Sequence, residues 1–114
     1  MATSRRPDPT SPAEVGRRLA LTRRALGYTT TTMCRLMGSV SHGSAYSNYE
    51  SGIRLINIQH ALKLCSRCRL TLPWIYQGQF KTLPKDIREK IVEHLLPGDI
   101  LPDDDDQQTN RKSR

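Results

Sequence analysis

Aromatic residues are scarce: one tryptophan, one phenylalanine and four tyrosines make up 5% of the 114 residues. A core must therefore be built mainly from aliphatic side chains, with each buried ring acting as an anchor. Long apolar runs are missing too. Nothing approaches the roughly 20 consecutive apolar residues of a membrane span, and no apolar segment of a secretory signal follows Arg5 and Arg6. The expectation is a soluble, intracellular protein with no membrane partner. Three cysteines, an odd number, do not make a disulfide framework, and a reducing compartment keeps them as thiols.

Catalytic groupings are equally sparse. His42, His60 and His94 are scattered, and neither a Ser/His/Asp nor a Cys/His arrangement can be assembled around them. No enzyme and no small-molecule substrate are expected. Cys65-Ser66-Arg67-Cys68 has CxxC spacing, yet it lies inside an apolar helical pattern. No second CxxC or close histidine pair completes the four ligands of a structural zinc. Buried thiols are the expectation, with no metal and no cofactor. Gly38 and Gly43 do not form a phosphate loop, because no strand precedes them and no Gly-Lys-Ser/Thr follows.

Acidic residues are rare where the chain is most foldable. Between Ala13 and Phe80 only Glu14 and Glu50 oppose Arg17, Arg18, Arg23, Arg24, Arg35, Arg54, Lys63, Arg67 and Arg69, so the net charge of +7 resides there. The tails roughly cancel. Such a balance favours a polyanionic partner.

What is present reads as a series of short helices. Residues 1–10 (MATSRRPDPT) form a disordered arm on composition. Ser11-Pro12-Ala13-Glu14 then starts a helix, with Ser11 as N-cap, Pro12 in the first turn and Glu14 reaching back to complete a capping box. Val15, Leu19, Thr22 and Leu26 make its inward stripe, and Gly27 stops it. Arg17, Arg18 and Arg24 fall off that stripe. A second helix opens on Thr29 to Thr32, turns Met33, Leu36 and Met37 inward, and ends at Gly38. The third runs from about Ser44 to Glu50, packing Tyr46 and Tyr49. Asn57 caps a fourth, whose inward stripe reads Ile58, Ala61, Leu62, Cys65 and Cys68. Thr71-Leu72-Pro73 starts a fifth around Trp74, Ile75 and Tyr76. Pro84 opens a last helix, over 81–98, with Ile87, Ile91 and Leu95 aligned and Pro97-Gly98 as its stop. That stripe can fold back on the body or pair with a second copy. From 99 to 114 the tail, with Asp103 to Asp106 consecutive, is charged and disordered on composition.

Within a domain expected over 11–80, the stretch from Val15 to Gln79 resembles the Cro/cI-type helix-turn-helix domain of phage repressors and small bacterial regulators. The resemblance rests on Val15-Gly16 and Leu19, Leu26-Gly27, Leu36 and Gly38, the run Tyr46-Ser47-Asn48-Tyr49-Glu50-Ser51-Gly52, Leu62 and Leu64, and Leu72-Pro73-Trp74-Ile75-Tyr76-Gln77-Gly78. It implies an all-α, lambda repressor-like five-helix domain, here with an additional C-terminal helix. It also implies an ion pair between Arg23 and Glu50 that holds the first and third helices in register. The implied function is transcription regulation, with the third helix in the major groove of double-stranded DNA and two copies binding as a homodimer. Carried over by position, Thr30 meets a phosphate or supports the third helix, Arg54 meets a phosphate, and Gly43, Ser44, Ser47 and Asn48 form the reading face, with His42 a further DNA-contact candidate to which specificity can shift. The stretch from Gly38 to Glu50 is about two residues longer than the usual family spacing, and Gly43 stands where many relatives carry a long polar side chain. Those departures motivate an alternative: a degenerate helix-turn-helix serving as a protein-interaction module, such as an antitoxin or a repressor partner.

Overall fold

The computed structural model describes residues 8–39 and 43–97, and among them every regular element is helical. Helix α1, Pro12–Leu26, begins where expected: the Ser11 hydroxyl accepts from the Glu14 amide (3.2 Å), and Gly27 ends the helix in the left-handed region at φ 76°. The capping box is only half made. Asp8 forms a turn whose carbonyl takes the Ser11 N–H (3.1 Å), which frees Glu14 to pair with Arg17 at 2.6 Å. Residues 8–10 thus lead directly into α1, and the rest of the expected arm lies outside the described residues.

Helix α2, Thr30–Leu36, starts on Thr29, whose hydroxyl accepts from the Thr32 amide (3.1 Å). Helix α3, Ser44–Glu50, follows Gly43 at φ 106°, a conformation that favours glycine, and has no side-chain cap. Asn57 caps α4, Ile58–Cys68, and Thr71 caps α5, Leu72–Gln77. A 3₁₀ turn at Phe80–Thr82 leads into α6, Lys85–Glu93. The last helix ends four residues before Pro97. At His94 and Leu95 the amides bond three residues back instead of four, so the helix has already tightened and unwound.

Helix α1 is the spine on which α3, α5 and α6 pack. Gly16 faces the end of α3 so closely that a Cβ there would lie 2.3 Å from the Tyr49 carbonyl oxygen and 2.5 Å from that of Glu50. Two buried bonds fix α1 against α3 and against α5. Tyr46 on α3 donates its hydroxyl to the Leu19 carbonyl (2.8 Å), and the Trp74 indole on α5 donates to Thr22 Oγ1 (3.0 Å). Thr22 is fully buried yet satisfied, since its hydroxyl donates in turn to the Arg18 carbonyl. One apolar cluster runs from Val15 to Ile91. Because Leu83, Ile87 and Ile91 belong to it, α6 folds back on α1, which decides the question its stripe left open.

Two inward assignments change. In α4 the buried residues are Ala61, Leu64 and Cys68; Cys65 is half-buried, and Ile58 and Leu62 are half exposed. The helix carries two overlapping apolar stripes, and the one bearing Leu64 docks because α2 and α5 lie on that side. Arg18, expected on the wet face, is buried: Nε donates to the Trp74 carbonyl (2.9 Å), and Nη2 to those of Ile75 (2.9 Å) and Pro9 (2.6 Å). Burial lowers its pKa to about 10, so it stays cationic at neutral pH and serves as a cap for the carbonyl end of α5.

Replacing Gly16 by alanine should destabilise the protein by about 3 kcal/mol despite alanine's better helix propensity, because a methyl pressed into backbone carbonyls forces α1 and α3 apart. Urea unfolding of G16A measures this. Alkaline pH should destabilise as well. Burial raises Tyr46 well above its ordinary 10.0 and Cys68 to about 11 from 9.0. The unfolded chain therefore releases these protons first, and stability present below pH 9 is lost as pH rises above it, by up to about 1.4 kcal/mol per pH unit per group. Tyr46→Phe should flatten the decline in unfolding curves taken between pH 8 and 11.

Candidate nucleic-acid interface

The α2–α3 pair presents a surface built from small polar side chains. On α3, Tyr46 and Tyr49 turn inward at a spacing of three, so Ser44 and Ser47 face outward and Asn48 lies half-buried between the two sides. The Asn48 backbone carbonyl is occupied, accepting from the amides of Ile53 (3.1 Å) and Arg54 (3.3 Å). Those bonds tie the loop after α3 to the helix and place Arg54, which is exposed, beside its C-terminal end. Among the described residues Arg54 has no ion-pair partner. Arg35 is likewise exposed in the last turn of α2.

Gly43 is withdrawn from the surface. It is buried, with a Cβ there meeting Thr30 Oγ1 at 3.1 Å and Thr31 Oγ1 at 3.4 Å, so it lets the chain pass the start of α2. Thr30 is correspondingly half-buried, holding the start of α3 in place, and Thr31 beside it is exposed. His42 lies outside the described residues. Arg18, counted with the surface cations in the sequence, is withdrawn into the core, and Arg17 pairs with Glu14.

Arg23 and Glu50 meet as the resemblance implied. The guanidinium grips the carboxylate through two bonds, Nε–Oε2 at 2.7 Å and Nη2–Oε1 at 3.3 Å, and Nη1 donates to the Tyr28 carbonyl (3.1 Å). With side-chain exposures of 23% and 14%, the pair is shielded but not sealed from water. Its hydrogen bond with Glu50 raises Arg23 above its ordinary pKa. The pair also removes from the surface the single carboxylate between Val15 and Lys85, leaving cations alone on that stretch of exterior. Three further residues support the site without being legible as such. Arg67 Nη1 on α4 donates to the Leu36 carbonyl at the end of α2 (3.0 Å), Lys63 lies across Gly38, and Tyr49 meets His60 Nδ1 at 2.8 Å, joining α3 to α4. Long basic side chains on α4 at i and i+4 were the one available signal for the first two.

No family model, no curated protein and no solved structure matches the chain. What the structure defines is an all-helical body in which a short pair of helices is braced by a central one. None of its helices is long and apolar enough to cross a membrane, and no group of metal-binding side chains exists among the described residues.

Glu50→Ala should lower stability by about 1–3 kcal/mol, less than for a sealed pair because water reaches both partners. Arg23→Ala should cost a similar amount, and the double variant should cost less than the sum, as a double-mutant cycle by denaturant unfolding would register.

Proposed function

We propose that the protein is a transcription regulator of the Cro/cI-type, lambda repressor-like helix-turn-helix class. In this reading it lays α3 in the major groove of double-stranded DNA and binds as a homodimer. The observation that carries the proposal is the charge of the α2–α3 exterior. Glu50 is the only carboxylate between Val15 and Lys85 and is engaged by Arg23, while Arg35 on α2, Arg54 in the loop after α3 and Lys63 on α4 are exposed, and α3 itself turns Ser44 and Ser47 outward with Asn48 half-buried beside them. A polyanion would meet cations at the edges and uncharged donors and acceptors at the centre. That is the division between phosphate contacts that position and base contacts that specify. Asn48 can offer a donor and an acceptor together, as adenine requires.

A second reading, a helix-turn-helix kept as a protein-interaction module, draws support from the buried Gly43, which leaves α3 without a long side chain at its entrance. Selection from a random duplex library, followed by anisotropy titration at two salt concentrations, separates the two. The regulator reading expects an enriched motif with two related half-sites, and affinity that falls steeply with salt as counterions are released. On the selected duplex, Asn48→Ala should cost about tenfold in discrimination. Arg54→Gln should weaken all sequences alike and reduce the salt slope by about 1. No motif, together with wild-type affinity in Asn48→Ala, would favour the interaction module.

A further inference from the structure

Helix α6 commits one face to the core and leaves a second face open. Ile87 and Ile91 are buried toward α1, while Lys85, Arg88, Glu89, Val92 and Glu93 line a groove of about 430 Å³ together with Phe80. The groove is shaped before any partner arrives. Phe80 is only 4% exposed and meets Trp74 edge-on, with ring centres 5.6 Å apart, and Arg88 Nε donates to the Leu83 carbonyl (3.1 Å), which fixes the guanidinium. Val92, by contrast, is 50% exposed.

The charges of this groove are ordered along the helix. Both cations, Lys85 and Arg88, lie toward its N-terminal end, and both acids, Glu89 and Glu93, lie toward its C-terminal end. That order opposes the helix dipole, which favours acids at the start of a helix and cations at its end. The charges of α6 outside the groove follow the favourable order instead, with Asp86 in the first turn, held by Arg69, and Lys90 in the last. Within the chain the groove charges are little used. Lys85 and Glu89 meet only at 4.0 Å, and among the described residues Arg88 and Glu93 have no ion-pair partner. Two cations and two acids cancel, so the groove matches neither a nucleic acid nor a peptide of one sign. It matches its own reverse.

We propose that this face is a homodimer contact, in which α6 of a second copy lies antiparallel across α6 of the first. A two-fold axis near the middle of the groove brings Lys85 to the partner's Glu93 and Arg88 to the partner's Glu89. Val92 is then covered by the aliphatic stems of the partner's Lys85 and Arg88. Each cation also meets the carbonyl end of the facing helix and each acid its amide end, so the order that is unfavourable in one helix becomes favourable in the pair. One helix face buries less than the roughly 800 Å² per partner of a standard interface, so the free dimer is a weak one. The inference names the contact surface for the homodimer of the regulator reading and rests on that reading for its use on DNA, but the association itself needs none.

Sedimentation equilibrium of the full chain without DNA, at near-millimolar concentration, tests the contact. Lys85→Glu and Glu93→Lys change exposed positions in the sense that the helix dipole favours, and denaturant curves verify that both variants fold. Each alone sets like charges face to face twice and is expected to weaken association about tenfold. Mixed in equal amounts the two variants restore it, because in the mixed pair every cation at these positions again faces an acid. A monomeric wild type would overturn the proposal, and so would a mixture that stays as weak as its components. A dimer indifferent to both substitutions overturns it too, while leaving the regulator's homodimer to another surface. Failure to bind any DNA leaves the sedimentation result standing and counts against the regulator reading alone.

Discussion

The close crossing of α1 and α3 is the constraint on which the remaining structure depends. Gly16 has no side chain, so the backbone of α1 approaches the last carbonyls of α3 more closely than any other residue allows. That approach brings Tyr46 within reach of the Leu19 carbonyl and Glu50 within reach of Arg23. Three contacts along one crossing, one steric, one buried and neutral, one ionic, determine both the angle and the register of α3. A seven-residue helix would not persist by itself, because so short a helix scarcely repays its own nucleation. Its stability is tertiary, and its outer side is rigid because its inner side is bonded to the spine.

The same spine explains why α5 and α6 are needed. Thr22 takes the Trp74 indole proton, and Arg18 passes beneath α5 to collect two of its carbonyls, with its guanidinium 5.9 Å from the centre of the Trp74 ring. Helix α6 closes the remaining side of α1 with Ile87 and Ile91 and is tied back by the ion pair between Arg69 and Asp86. In a chain with six aromatic residues, placing the one tryptophan at the junction of α1 and α5 concentrates large-area burial where the spine needs it.

Electrostatics and packing then divide the exterior. Arg23 consumes the single acid of the central stretch, and Arg18 and Arg67 spend their charge on helix carbonyls. Arg35, Arg54 and Lys63, on or after the three helices α2, α3 and α4, remain exposed.

Local chemistry in the chain was sufficient for most helix boundaries, the end of α6 excepted. Ser11, Thr29, Asn57 and Thr71 each cap as their positions suggested, and Gly27, Gly38 and Gly78 each take the left-handed conformation that ends a helix, because capping and turn geometry involve only near neighbours. Tyr46 and Tyr49 were legible as inward residues for the same reason, which leaves Ser44 and Ser47 outward. The Arg23–Glu50 pair was reached through family resemblance and not through spacing, since 27 residues separate the partners. Which of two apolar stripes on α4 is buried, that Arg18 is swallowed and not solvated, that Gly43 is a packing position, and that α6 covers its own chain were decided only by the tertiary structure. Each depends on what another helix places opposite, and that information is absent from any window of the chain.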